Sequence, residues 1–166
     1  MNAPIPPEVS AIAARAFADR QAKARLMVQG RKIGAGEASE RLRPWLAIAC
    51  LAWAELPELD EQLAELKVRD VDGTWRFSES EARALIADRL CPRARWVPLL
   101  AQARDAALRN AEAVCTSKRS QPHEREAALA PARALRDLAR ALAWDPAGRH
   151  PIPPCAEPLT TPAKAA

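Results

Sequence analysis

The chain has no tyrosine and only two histidines, His123 and His150, among its 166 residues. His123 falls near a helix start and His150 in a proline-rich tail. That inventory leaves little material for acid–base work near neutral pH. No GxSxG, HExxH, P-loop or dinucleotide fingerprint occurs, so the commonest signatures of acyl transfer, zinc hydrolysis and nucleotide chemistry are missing. The four cysteines, Cys50, Cys91, Cys115 and Cys155, form no CxxC pair. His150 and Cys155 are two ligands at most, and two ligands do not make a metal site. The N-terminus, MNAPIPPEVS, lacks the charged and apolar regions of a secretory signal. A disulfide framework is therefore not expected; the thiols read as small buried hydrophobes in a reducing cytoplasm. No apolar stretch reaches the roughly 20 residues that a bilayer-spanning helix needs. No repeat of solenoid period is present.

What stands out instead is a run of ten apolar residues from Trp45 to Ala54. A half-buried helix would interrupt such a run with polar residues, whereas a helix apolar all round is buried all round. The run predicts a central helix over residues 45–54 with other helices packed about it. Trp45, Ile48, Leu51 and Trp53 are expected to be almost wholly buried, together with Trp96 and Leu100.

The rest of the chain reads as helices. Pro6-Pro7-Glu8 opens the first, which runs to about Gln29 with Gly30 as its C-cap. Its apolar residues, Val9, Ile12, Ala13, Ala16 and Phe17, cover the first half only; Arg20 to Arg25 reads as exposed. A second helix spans about Glu37 to Glu55, with Pro44 either inside it or restarting it. A short acidic helix, Glu58 to about Lys67, carries Leu59, Leu63 and Leu66 on one face. Asp72-Gly73 is a turn signal. A two-residue turn there would pair Val68 with Phe77 and Asp70 with Trp75, making a hairpin flap over the helices. Ser78 and Glu81 form a capping box that launches a helix carrying Leu85, Ile86 and Leu90. Arg93 to Cys115 carries Trp96, Leu99, Leu100, Ala103, Ala107 and Val114 on one stripe, with Pro98 tolerable only in the first turn. Pro122 opens a last helix to about Trp144, bearing Leu135, Leu138 and Leu142. The expected architecture is all-α: one domain, residues 1–145, of five or six helices with at most a short β-hairpin at 68–77. A proline-rich extended tail, residues 146–166, follows.

Residues 70–81 resemble the calcium loop of the EF-hand family. Oxygen ligands would fall at Asp70, Asp72, Thr74, the Arg76 carbonyl, Ser78 and Glu81, with Phe77 at the inward apolar position. The resemblance implies a degenerate calcium site between helices. It departs from the family at the sixth position, where Trp75 stands in place of the turn-forming glycine. Asp-Gly as a turn and Ser78/Glu81 as a cap explain the same residues. Tight calcium binding is not expected, and neither is any cofactor.

The net charge of +4 is unevenly spread. Residues 1–43 hold eight Lys/Arg against four acids, residues 44–72 two against seven, and residues 73–145 thirteen against nine. One basic cluster is Arg20, Lys23, Arg25, Arg31 and Lys32. Another is Arg133, Arg136 and Arg140, spaced along one helical face opposite the leucines. Arg93, Arg95, Lys118 and Arg119 cluster at the ends of the fifth helix. Long cationic side chains on a rigid exposed face suit phosphate contact. A solvated surface is the plain alternative, and the interleaved acids Asp19, Asp88 and Asp137 favour it. The favoured expectation is a non-catalytic accessory protein of a bacterium, phage or plasmid. Its partner would be nucleic acid or a nucleic-acid-handling protein, with no membrane contact. A protein–protein adaptor or inhibitor without nucleic-acid contact is the alternative; the acidic segment from Glu55 to Asp72 and the prolines after His150 favour it.

Overall fold

The structure, a computed structural model, describes residues 5–143 and Ile152. It contains α1 (Pro7–Gln29), α2 (Ala35–Leu51), α3 (Pro57–Leu66), α4 (Glu79–Leu90), α5 (Arg93–Thr116) and α6 (Pro122–Leu142). No strand occurs among the described residues, so the protein is all-helical as its patterning predicts. No helix is long and apolar enough to cross a membrane. The chain divides into two compact units, residues 1–96 and 97–166.

In the first unit α2 packs against both α1 and α4, and α3 packs against α4. Ala47, Ile48, Ala49 and Cys50 are all essentially inaccessible. Four consecutive residues cover a full turn of helix, so α2 is enclosed on every side there. Pro44 lies inside α2. Having no N–H, it leaves the Glu40 carbonyl without its intrahelical donor. Trp45 is buried and so is Trp96, in the first turn of α5.

The central helix does not span the whole apolar run. α2 stops at Leu51, Ala52 caps it, and Trp53 turns left-handed at φ 60°. The Ala54 N–H donates to the Ala49 carbonyl at 2.9 Å and the Trp53 N–H to that of Cys50 at 3.2 Å, a Schellman closure. Trp53 is therefore 38% exposed rather than buried, and Leu51 is half-buried. Pro57 disfavours helical backbone at Leu56 only. At the observed end of α2 the Ser10 hydroxyl donates to the Trp53 carbonyl at 2.8 Å and Arg83 to those of Cys50 and Ala54. α1 ends in the same motif. The Lys32 N–H reaches the Met27 carbonyl at 2.9 Å, with Arg31 at φ 53°. Gly30 is the C-cap, but the left-handed position falls to Arg31.

Between α3 and α4 the expected hairpin register is wrong by one residue. Arg69 faces Trp75 in an isolated bridge, the Asp70 N–H donates to Thr74 O, and the Gly73 N–H to Asp70 O. A two-residue Asp-Gly turn needs positive φ at both residues. Only Gly73 has it (83°), while the Asp72 carboxylate accepts from the Thr74 N–H and hydroxyl. The loop consequently has three residues, Val71 to Gly73. Val68, Val71 and Trp75 point to solvent instead of covering the helices.

The capping box at α4 is present: the Ser78 N–H and hydroxyl donate to Glu81 Oε2 at 2.8 and 2.7 Å. The inward face of α4 is Ala82, Arg83, Ile86 and Ala87, and Leu85 is 38% exposed. Arg83 takes that inward position because it has work at the end of α2. Its Nη1 donates to the Cys50 and Ala54 carbonyls, both at 3.3 Å, while Nε and Nη2 hold Glu79. A buried guanidinium needs such partners.

In the second unit, α5 and α6 pack through Ala111, Ala128, Leu129 and Ala132, with Leu108, Val114 and Cys115 around them. From Val97 onward α5 buries Val97, Leu100, Ala101, Arg104 and Ala111. That stripe is rotated from the expected one, leaving Leu99 39% exposed. In an alanine-rich helix two neighbouring stripes have nearly the same periodicity, so the pattern does not separate them. Pro98 sits past the first turn of α5, and Pro131 lies inside α6. Leu138 and Leu142 are buried and Leu135 half-buried. Of the tail, Ile152 is described and buried. The rest of the expected tail, with His150 and Cys155, lies outside the described residues, as does Trp144.

Candidate binding surfaces

Both basic clusters named from the sequence lie on helices, but their side chains are engaged differently. On α1, Arg20 is committed to the core. Its Nη1 donates to the Ala16 carbonyl at 2.8 Å, and its guanidinium lies 3.3 Å from the centroid of the Trp45 ring. Burial pushes its pKa down, opposed by the nearby Asp19 charge. Lys23, Arg25, Arg31 and Lys32 are exposed, and none is in an ion pair among the described residues. No acid occurs in the sequence between Asp19 and Glu37, so Arg25, Arg31 and Lys32 have none within four residues, while Lys23 stays unpaired although Asp19 lies four residues before it. On α2 the cations are paired: Arg41 with Glu37 at 2.6 Å and Arg43 with Glu40 at 2.9 Å.

On α6, two of the three arginines are held by acids of their own helix. Arg133 Nη1 lies 2.9 Å from Glu126 Oε1, and Arg136 is 3.2 Å from Asp137 Oδ1. Arg140 is exposed. Helical spacing brings these residues to one side, but it brings Glu126 and Asp137 there too. Near the ends of α5, Arg95, Lys118 and Arg119 are exposed and Arg93 stacks 4.9 Å from the Trp96 centroid.

An open groove of about 600 Å³ runs along the seam of α1 and α2. Phe17, Ala24 and Val28 of α1 form one wall, and Ala35, Ala38, Leu42 and Leu46 of α2 the other. Leu90 of α4 closes one end beside Glu58, whose Oε1 accepts from Gln21 Nε2 at 2.7 Å. Arg25 and Arg43 stand on the two rims. The small residues Ala24 and Ala38, both buried, keep the groove deep. The stretch from Arg20 to Arg25, which reads as exposed in the sequence, has Ala24 buried and Arg20 half-buried. The available signal was Phe17, Ala24 and Val28 at spacings of seven and four, a helical stripe continuing past Arg20.

A second, more polar cleft of about 590 Å³ borders the α2–α3 connection, with Glu55, Asp60 and Glu79 facing Lys67 and Arg83. Its three acids outnumber its two cations by one, and Arg83 and Glu79 are already bonded to each other.

The segment that resembles a calcium loop uses its oxygens internally. Asp70 Oδ1 takes Arg76 Nε at 3.1 Å. Asp72 is bonded to Thr74 and Glu81 to Ser78, which lowers both carboxyl pKa values. The left-handed residue is Gly73, two places before the position where the family bends, so the backbone turns at a different point from a calcium loop. Among the described residues no three His, Cys, Asp or Glu side chains group closely enough to hold a metal. The two buried thiols, Cys50 and Cys91, are likewise unsuited to attack. Burial pushes Cys50 up to about 11 despite Arg83 nearby, and Cys91 is also raised, chiefly by burial. A reactive cysteine requires the opposite shift.

No family model matches the chain, and no curated protein or solved structure is found similar to it.

Proposed function

We propose that this is a non-catalytic accessory protein, of bacterial or mobile-element type, that binds a partner protein through the α1–α2 hairpin. The observation carrying the reading is the apolar groove on the α1–α2 seam with exposed cations beside it. Apolar walls recognise side chains of a protein; a phosphate backbone gains nothing from them. This places the adaptor reading ahead of the nucleic-acid reading that charge spacing alone favours. The engagement of Arg20, Arg133 and Arg136 supports the same order, since each is already satisfied within the chain.

The second reading is nucleic-acid contact, supported by the exposed Lys23, Arg25, Arg31 and Lys32. Counterion release makes such binding steeply salt-dependent, by about 0.9 in log–log slope per phosphate.

A photo-crosslinking residue at Ser39, on the groove wall, separates the two. The control carries the same group at Ala130, exposed on α6. In a bacterial lysate the expected product is a nuclease-resistant polypeptide crosslink at position 39 and not at 130. A nuclease-sensitive product at 39 establishes the nucleic-acid reading, and no product at 39 removes both.

A further inference from the structure

Resting on the protein-binding reading, we infer that the α1–α2 groove receives an acidic amphipathic helix, its carboxylates lying toward Arg25, Arg31 and Lys32. Three properties of the groove select that occupant.

The walls are helices. Apart from the helix ends and the Glu40 carbonyl opposite Pro44, their backbone N–H and C=O groups are spent on intrahelical bonds, so the groove offers no free edge for strand addition. An extended peptide laid into it would bury backbone polar groups without partners. A helix brings its own backbone bonds and presents only side chains. The length agrees: from Phe17 to Gln29 the α1 wall runs about 18 Å, which three turns of helix cover.

The interior is apolar. Val28, Leu42 and Leu46 line it over a floor kept open by Ala24 and Ala38. Large apolar side chains at i, i+3 or i+4 and i+7 of the incoming helix fit such a seam.

The charge is one-sided. The hairpin end carries Arg25, Arg31 and Lys32 without acidic partners among the described residues, its one nearby acid, Glu37, being paired with Arg41, while the opposite end holds Glu58, bonded to Gln21. Carboxylates of the occupant therefore belong at the hairpin end. The negative end of a helix dipole is its C-terminus, so the occupant runs parallel to α1, with its C-terminus at the α1–α2 turn.

The test uses the full chain and synthetic peptide probes. The lead probe is a 14-residue helix-forming peptide with leucines on one stripe and glutamates in its C-terminal half. Companions carry lysine for glutamate, serine for leucine, or the glutamates in the N-terminal half. Binding is followed by fluorescence anisotropy and by amide chemical shifts. The lead peptide is expected to bind and to move the amides of Val28, Leu42 and Leu46. The lysine peptide should bind about tenfold more weakly or worse, and the serine peptide not at all. Arg25→Glu with Lys32→Glu should weaken the lead peptide by a similar factor. Ser39→Trp, an exposed substitution that fills the groove without touching the core, should abolish binding. A nitroxide at the peptide C-terminus should broaden amides near Ala35 and leave those near Leu46 sharp.

Failure of the lead peptide to bind at about 1 mM overturns the inference. So does binding indifferent to Ser39→Trp, preference for the lysine peptide, or groove shifts that change on dilution and signify a second copy of this chain. Shifts at the same amides produced by duplex or single-stranded DNA overturn it in favour of nucleic acid. If the Ser39 crosslink still yields a polypeptide while the peptide fails, the partner-protein reading survives and only the helical, acidic occupant is lost.

Discussion

The second half of α1 and the second half of α6 look alike on paper. Each sets several arginines or lysines at helical spacing in an alanine-rich background. In the folded chain they differ. On α6, Glu126 and Asp137 hold Arg133 and Arg136 at 2.9 and 3.2 Å. On α1, Arg25, with Arg31 and Lys32 just beyond, has no acid within four residues, and neither these three nor Lys23, which has Asp19 four residues before it, is in an ion pair among the described residues. Spacing decides which side a cation occupies. The acids interleaved with it decide whether its charge remains available to a partner. A cation count treats the two helices as equal, and pairing separates them.

The comparison can be broken most severely through the platform under α1. Ile48, on the enclosed segment of α2, is 1% exposed. Ile48→Ala should destabilise the chain by about 2–5 kcal/mol, read as a shift in the urea midpoint. If the loss is well under 1 kcal/mol, α2 is not the core of the first unit, and the rigid placement of the α1 cations fails with it.

The same platform has a pH signature that α6 lacks. An unfolded thiol titrates near 8.5, whereas burial holds Cys50 up to about 11. Folded chains thus keep a proton that unfolded chains release, so stability is fully present below about pH 8.5 and falls as pH rises toward 11. The loss at the upper end is roughly 3 kcal/mol. Denaturation of wild type and Cys50→Ala between pH 8 and 11 should show a falling difference between them. Parallel curves would mean that the thiol is solvated. Half-buried Cys115 should react with a disulfide reagent well before Cys50 or Cys91.

Smaller effects sharpen the contrast. Arg31 is left-handed and exposed, a conformation that costs a side-chain-bearing residue about 1–2 kcal/mol. Glycine avoids that cost while adding freedom to the unfolded chain, so Arg31→Gly should stabilise by up to about 1 kcal/mol. A Tm below wild type would show that Arg31 has partners that compensate its backbone. Least of all, Arg133→Gln removes a half-exposed ion pair and should change stability by no more than about 0.5–1 kcal/mol. It should leave the affinity of the acidic peptide untouched. A loss of affinity there would place binding on α6 and dissolve the distinction between the two arginine sets.

Much of this molecule is fixed by sequence alone. Helix-forming residues punctuated by proline give six helices, and the ends follow from local chemistry. Pro7, Pro57 and Pro122 each stand at the first helical position, and Ser78 with Glu81 closes the start of α4. Such signals act within one turn of chain, so reading them needs no knowledge of neighbours. The run at Trp45 likewise requires burial, because apolar residues on every side of a helix leave none for water. Tertiary structure decided the rest. It ended α2 at Leu51 and turned Trp53 outward, where Ser10 of α1 donates to the Trp53 carbonyl and Arg83 of α4 to that of Ala54. It put Arg83 inside α4 and Leu85 outside, because the open carbonyls at the end of α2 needed a donor. It made a groove of Ala24 and Ala38, because two alanine-bearing walls leave depth only once they face each other. These outcomes depend on which groups from distant parts of the chain meet, and no local pattern carries that information.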